Sequence, residues 1–254
     1  VITHSMILEF LIDQGFGKYY INEKIQFVRI HDNIVRLLTK EQISDFIIQY
    51  TKALPGMIGA TTSRAKLLEK ILSSKSFLAE SLYSKLDNLK IIEPTPVQNI
   101  AYRYFQNTVV RIDNKGTIET MPYSKLKWHI WESNILPREF DINHPADFSK
   151  CIYADFFKLL AKVTELSEEE FEKRSESEIK GWEAQRLIHL QTLAGYLLHS
   201  HKDRANAKAV ILVEQSMSEG AQGGTGKGLF AQGILHSCNG VLIEGRNLNF
   251  NDPF

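Results

Sequence analysis

The chain has 254 residues, 43% of them hydrophobic, with 30 Lys and Arg set against 30 Asp and Glu. That is enough apolar material for one large domain or two ordinary ones, and it excludes disorder as the default state. Zero net charge excludes a global field that would draw the chain to nucleic acid or an anionic membrane; only a local basic face could do so.

Met6, Ile7, Phe10 and Leu11 fall at helical spacing, so residues 5–13 read as a helix ending near Gln14-Gly15. Residues 18–21, 25–30 and 34–38 then read as short strands. They are separated by the turn-like groups Asn22-Glu23-Lys24 and His31-Asp32-Asn33, which makes a small meander. Thr39-Lys40-Glu41-Gln42 is a capping box. The helix it opens carries Ile43, Phe46, Ile47, Tyr50 and Leu54 on one face and stops at Pro55-Gly56. Helix, meander, helix gives the start of the chain a winged-helix character. Arg29, Arg36, Lys40 and Lys52 lie in or beside this module and could contact DNA phosphates. Glu23, Asp32, Glu41 and Asp45 are interspersed, so a solvated mixed surface is the alternative.

Residues 63–88 read as two helices, with stripes Leu67, Leu68, Ile71, Leu72 and Phe77, Leu78, Leu82, Leu86. Pro94 and Pro96 mark a linker or module edge. Residues 108–113 and 117–121 flank Asn114-Lys115-Gly116, a hairpin signal. The aromatic and basic stretch from Tyr123 to Trp131 could stack bases, but core anchoring is the favoured reading of Trp131. A helix is expected from Pro145, with Phe148, Ile152, Phe156, Leu159, Leu160 and Val163 as its apolar stripe. Ser167-Glu168-Glu169-Glu170 is a second capping box. It opens a helical pattern expected to reach about Lys202, with Gly181 as the place for a bend and Leu187, Leu190, Ala194 and Leu197 on one face. His199 and His201, two apart on a helix, do not face the same way, and no third ligand lies nearby, so no zinc site is read there.

Ala207–Glu214 is an apolar, branched run that reads as a buried strand. Gly223, Gly224, Thr225, Gly226, Lys227 and Gly228 follow, and a helix is expected from Leu229. Strand, glycine loop, lysine, helix is the order of a P-loop. Glycines let backbone N–H groups turn toward an anion, the lysine reaches the outer phosphates, and the helix dipole favours negative charge. In the pattern G-x-x-x-x-G-K-[ST], Ala221 holds the first glycine place and Gly228 the Ser/Thr place, so the hydroxyl that touches Mg²⁺ is missing. Two readings stand: a nucleotide phosphate loop with altered metal ligation, or a glycine-rich turn that binds nothing.

Cys151 and Cys238 sit in apolar stretches and read as free thiols of a reducing, cytoplasmic compartment. No run approaches a membrane span, so no membrane partner is expected. Val1–Ser5 carries neither Met nor a basic leader and reads as an interior start. Asn249–Phe254 reads as a stop in mid-domain, so a fragment of a longer protein is favoured over a protein with a vestigial loop.

Several stretches together resemble the primase-helicase proteins of phages and mobile elements, whose motor is a superfamily 3-like helicase of the AAA+ class. They are Phe27–Ile30, Asn33–Arg36, Trp131 with Ile135–Phe140, Leu193–His199, Gly223–Leu229 and Asn249–Phe254. The resemblance implies a motor that binds ATP between the subunits of a homo-oligomeric ring and moves on single-stranded DNA. Gly223, Gly224, Thr225, Gly226 and Lys227 would hold the β and γ phosphates, with Gly228 beside them. Mg²⁺ would accompany the nucleotide. The Walker B acids, sensor and arginine finger would lie beyond Phe254, any primase centre would lie before Val1, and this chain alone would hydrolyse little ATP. The expected fold is α+β, in three consecutive parts. Residues 1–92 are a winged-helix-like helical module, residues 93–204 a hairpin plus helices, and residues 205–254 the beginning of an α/β P-loop NTPase domain. The competing reading is a non-enzymatic DNA-binding or assembly module with an inert loop.

Overall fold

The computed structural model describes residues 2–58, 62–144, 147–164, 166–201, 205, 207–213, 226–238, 240, 241 and 243. Among these the chain is α+β, with eight α-helices and three small sheets. In order they are α1 (His4–Asp13), β1 (Phe16–Ile21), β2 (Lys24–His31), β3 (Ile34–Leu38), α2 (Lys40–Ala53), β4 (Met57–Ile58), β5 (Thr62–Ser63), α3 (Arg64–Ser73) and α4 (Glu80–Tyr83). After these come β6 (Ile100–Tyr104), β7 (Val109–Asp113), β8 (Ile118–Met121), β9 (Ile130–Trp131), α5 (Ile152–Leu160), α6 (Glu168–Glu172), α7 (Glu176–Leu198) and α8 (Lys227–Ser237). The chain forms two compact units, Val1–Thr95 with Pro122–Ile135, and Pro96–Met121 with Leu136–Phe254. Residues 122–135 therefore return to the first unit, which a division into consecutive segments does not contain.

The meander of the first unit is set by its turns. Asn22 and Glu23, then Asp32 and Asn33, all have positive φ, so both hairpins close through two residues in the left-handed region. The pairs Ile21↔Lys24 and His31↔Ile34 flank them, and this turn type matches the natural twist of the strands. Gly15 has φ +83°, and a Cβ there would meet the Ile30 carbonyl oxygen at 2.1 Å, so no other residue fits at the entry to β1. Thr39 and Gln42 form the expected capping box at α2. One sheet face packs on α1 and α2 around Ile7, Leu11, Phe16, Ile43, Ile47, Ile71, Phe77 and Tyr83.

The other sheet face is also covered. Val28 and Val35 are fully buried. The returning segment adds β9 beside β3 as an edge strand of the same sheet, Trp131 pairing with Val35 in a parallel ladder, and the Trp131 ring meets that of Tyr19 edge-on at 5.7 Å. Trp131 is thus a half-buried packing anchor. Asn33 Nδ2 donates to the Tyr123 and Leu126 carbonyls, each at 3.0 Å, which fastens the return to a meander turn. The backbone N–H of His129 donates to the Ile92 carbonyl at 2.7 Å, and the Ile92 N–H donates back to His129 Nδ1 at 2.9 Å.

Elsewhere the elements depart from expectation in instructive ways. The second helix of residues 63–88 is broken into a 3₁₀ turn at Lys75–Leu78 and the short α4. The Ser73 hydroxyl donates to the Lys70 carbonyl there at 3.2 Å, and the break lets Phe77, Leu82, Tyr83 and Leu86 all reach the core. β6, an unanticipated strand, joins the β7–β8 hairpin in a three-stranded antiparallel sheet. The hairpin turn is held by Asp113 Oδ1, which accepts from the Lys115 and Thr117 N–H groups at 2.9 Å each.

α5 begins at Ile152 rather than at Pro145, which lies outside the described residues. Its buried face is one step round from the expected stripe: Phe157 is buried, while Ile152 and Leu159 are exposed. The pattern opened by the Ser167–Glu170 box stops after α6, because Ser175 and Glu178 form a further capping box that starts α7. The break falls there and not at Gly181, which continues the helix. The C-terminus of α7 is closed by the Arg103 guanidinium, which donates to the Leu198 carbonyl and, at 2.9 Å, to that of Tyr102. Burial holds this guanidinium below its usual pKa.

Burial likewise holds the His129 imidazole below its ordinary value, which is about 6.5 in an unfolded chain. The unfolded state takes the proton first, so the His129 contribution is complete above about pH 6.5 and is lost as pH falls through the folded value. Thermal denaturation should show a loss of stability on acidification below about pH 6.5 that is smaller in His129→Gln than in the parent. An identical pH profile in both would contradict this role.

Candidate functional site

Gly223, Gly224 and Thr225 lie outside the described residues; Gly226, Lys227 and Gly228 lie within them. α8 begins at Lys227, two residues before the expected start. Gly226 is its N-cap, in the left-handed region at φ +84°, and no side chain caps the helix. The Phe230 N–H donates to the Gly226 carbonyl at 2.9 Å and closes the first turn.

One face of α8 is built to lie on α5. A Cβ on Gly226 would stand 2.9 Å from Phe156 Cε2, and one on Gly233 would stand 2.1 Å from Tyr153 Cζ. Between them Phe230 is 3% exposed, with its ring 5.5 Å from that of Phe157. The Tyr153 hydroxyl donates to the Phe230 carbonyl at 2.9 Å, and burial raises the pKa of this phenol. Residues at i, i+4 and i+7 share a helix face. Two of these three contacts therefore lack a side chain so that the aromatic ridge of α5 can approach.

The opposite side of the first turn is open among the described residues. A Cβ on Gly228 would meet nothing within 4 Å, and Leu229 is half exposed. Packing accounts for Gly226 and Gly233 but gives no reason for glycine at 228. The first N–H groups of any helix lack intrahelical acceptors, and the macrodipole gives that end partial positive charge. Lys227 adds a full one. An anion the size of a phosphate could take those donors end-on, along the helix axis. Gly228 brings no hydroxyl, so the residues present do not fit a Mg²⁺ ligand at that position.

The stretch before the loop is not the expected buried strand. Residues 207–213 join no ladder, and Ile211 and Val213 are 80% and 69% exposed. A central parallel strand needs neighbours on both edges, and none lies beside this segment among the described residues. It is tied instead to α7: the Lys208 N–H donates to the Tyr196 hydroxyl at 2.7 Å, and that hydroxyl donates to the Lys208 carbonyl at 3.2 Å.

The two arginines singled out for DNA have internal partners. Arg29 Nε donates to the Gln14 carbonyl at 2.9 Å, and its guanidinium lies 4.5 Å from the Phe46 ring centre. Burial and the nearby Arg36 charge lower its pKa. Arg36 Nε donates to both carboxylate oxygens of Glu132, at 2.9 and 2.8 Å. A phosphate at Arg36 would compete with that carboxylate. Lys40 pairs with Glu80 at 3.3 Å. The His201 N–H donates to His199 Nδ1 at 3.0 Å, and no group of three or more potential metal ligands comes together among the described residues. Both cysteines are free and half-buried. No helix among the described residues is long and apolar enough to cross a membrane.

If α8 is seated as described, Gly226→Ala lowers unfolding stability by about 2–4 kcal/mol, from left-handed strain and overpacking on Phe156. Gly228→Ala leaves it unchanged or raises it by up to about 1 kcal/mol. Denaturant titration of both variants checks this; equal losses would contradict the packing. No protein-family model matches the chain, and no curated protein matches it.

Proposed function

We propose that this chain is part of an ATP-dependent enzyme acting on DNA, of the primase-helicase kind, and that it holds the outer phosphates of ATP at the start of α8. One observation carries this reading: among the described residues no side chain caps the first turn of α8, and Gly228 leaves open space where their packing demands no glycine. Gly228 keeps the amides free of steric cover, and Lys227 supplies the charge. Gly223, Gly224 and Thr225 would complete the loop, which would begin a P-loop NTPase domain. With no hydroxyl at 228, the phosphates are held by amides and Lys227 rather than through a metal ligated there. DNA and a ring of further copies are the partners this reading brings.

A second reading is a DNA-binding or assembly module with an inert loop. It is favoured by the exposure of Ile211 and Val213 where a P-loop fold would bury a strand. It is favoured also by the exposed Lys66 and Lys70, one turn apart on α3. Such lysines can neutralise phosphates.

Calorimetric titration of the chain with ATP separates the two. The first reading expects binding that weakens at least tenfold, about 1.4 kcal/mol, in Lys227→Ala. It also expects Gly228→Ser to make binding more dependent on Mg²⁺, since the open space admits the hydroxyl. Absence of ATP binding, together with single-stranded DNA affinity that falls steeply with salt and ignores ATP, would establish the second.

A further inference from the structure

Beside the start of α8 lies a cavity of about 420 Å³, lined by Leu160, Arg186, His189, Leu190 and Leu193. Its volume falls in the range of small-molecule sites, about 300–1,000 Å³. Leu160 connects it to the candidate loop: Leu160 Cδ2 lies 3.5 Å from where a Cβ on Gly226 would be. The other four residues come from one face of α7, at i, i+3, i+4 and i+7. The Arg186 guanidinium donates to the Lys162 carbonyl at 3.2 Å, which holds it near the C-terminal end of α5, the end that carries Leu160.

The chemistry of this lining is two-sided. Three leucines give an apolar wall of the kind that takes the flat face of a nucleobase. Arg186 gives a planar guanidinium whose donors suit an oxyanion. His189 offers a ring nitrogen as donor or acceptor. Among the described residues no acidic side chain lines the cavity. A cavity that joins an apolar wall to a cation, and touches an uncapped helix start, matches a molecule with an aromatic ring at one end and phosphates at the other.

We propose that this cavity seats the nucleoside of the triphosphate whose phosphates lie at the N-terminus of α8, with the base against Leu160, Leu190 and Leu193 and with Arg186 toward the phosphates. This inference rests on the phosphate-loop reading above and adds the place of the base. It makes α7 part of the nucleotide site, although no glycine or lysine motif lies on that helix.

The test compares ATP with inorganic tripolyphosphate, which carries the charges without the nucleoside, by calorimetry on the whole chain. ATP should bind the parent at least about tenfold more tightly than tripolyphosphate. Leu190→Gln and Leu193→Gln should each bring ATP close to the tripolyphosphate value while leaving tripolyphosphate unchanged. Far-ultraviolet dichroism confirms that each variant is folded. His189→Glu, an exposed position, gives a second reading without disturbing the core: it should weaken both ligands by placing a negative charge at the rim. Equal affinity of the parent for ATP and tripolyphosphate would overturn the base seat alone and leave the loop standing. An unchanged ATP preference in the folded leucine variants would do the same. Binding of neither ligand by the parent would overturn the loop and the seat together.

Discussion

The contact between α8 and α5 fixes everything the second unit can do at its candidate site. Gly226 and Gly233 bring the α8 backbone against Phe156 and Tyr153, and Phe230 fills the gap between them. Dispersion contacts of this kind are individually small and collectively large, and they vanish with a fraction of an ångström of separation. Because one face of α8 is committed to this packing, its first turn has a defined opposite side. That side holds Gly228, around which the described residues leave open space.

The first unit follows a different logic. Its sheet is buried on parts of both faces, against α1 and α2 on one and at Val28 and Val35 on the other, and residues 122–135 extend it with β9 beside β3. The strands accordingly lack a clean polar face, and Val28 and Val35 are as buried as the core facing the helices. The same arrangement places Glu132 at Arg36 and leaves Arg29 stacked on Phe46. Charges that looked available for phosphate in the sequence are thus held within the fold. Lys66 and Lys70 on α3 are among the exposed basic residues of this unit, as are Lys24, Lys52 and Arg64.

Local signals were the legible ones. The turn residues at 22–23 and 32–33, the boxes Thr39–Gln42 and Ser167–Glu170, and the hairpin at Asn114-Lys115-Gly116 all depend on neighbours in the chain, and each formed as read. Ser175-Glu176-Ser177-Glu178 was a signal of the same kind that would have placed the break before α7. What the sequence could not supply was long-range. The return of residues 122–135 and the inward turn of Phe157 in place of Leu159 depend on partners far along the chain. So does the exposure of Ile211, whose branched run suits a strand only if a ladder lies beside it. At the candidate site, Lys227 was legible from its glycines. Arg186 and His189 were not, because a helix face marks a cavity only once its neighbour is in place.

The claim on which the functional reading stands is that the open turn of α8 receives phosphate. The most direct measurement follows the backbone amide resonances of the chain by nitrogen-edited nuclear magnetic resonance as ATP is added. A phosphate seat predicts that the Lys227, Gly228 and Leu229 amide protons move downfield together and saturate with nucleotide, as donors to an oxyanion do. Unmoved resonances at these three amides under nucleotide excess would contradict it.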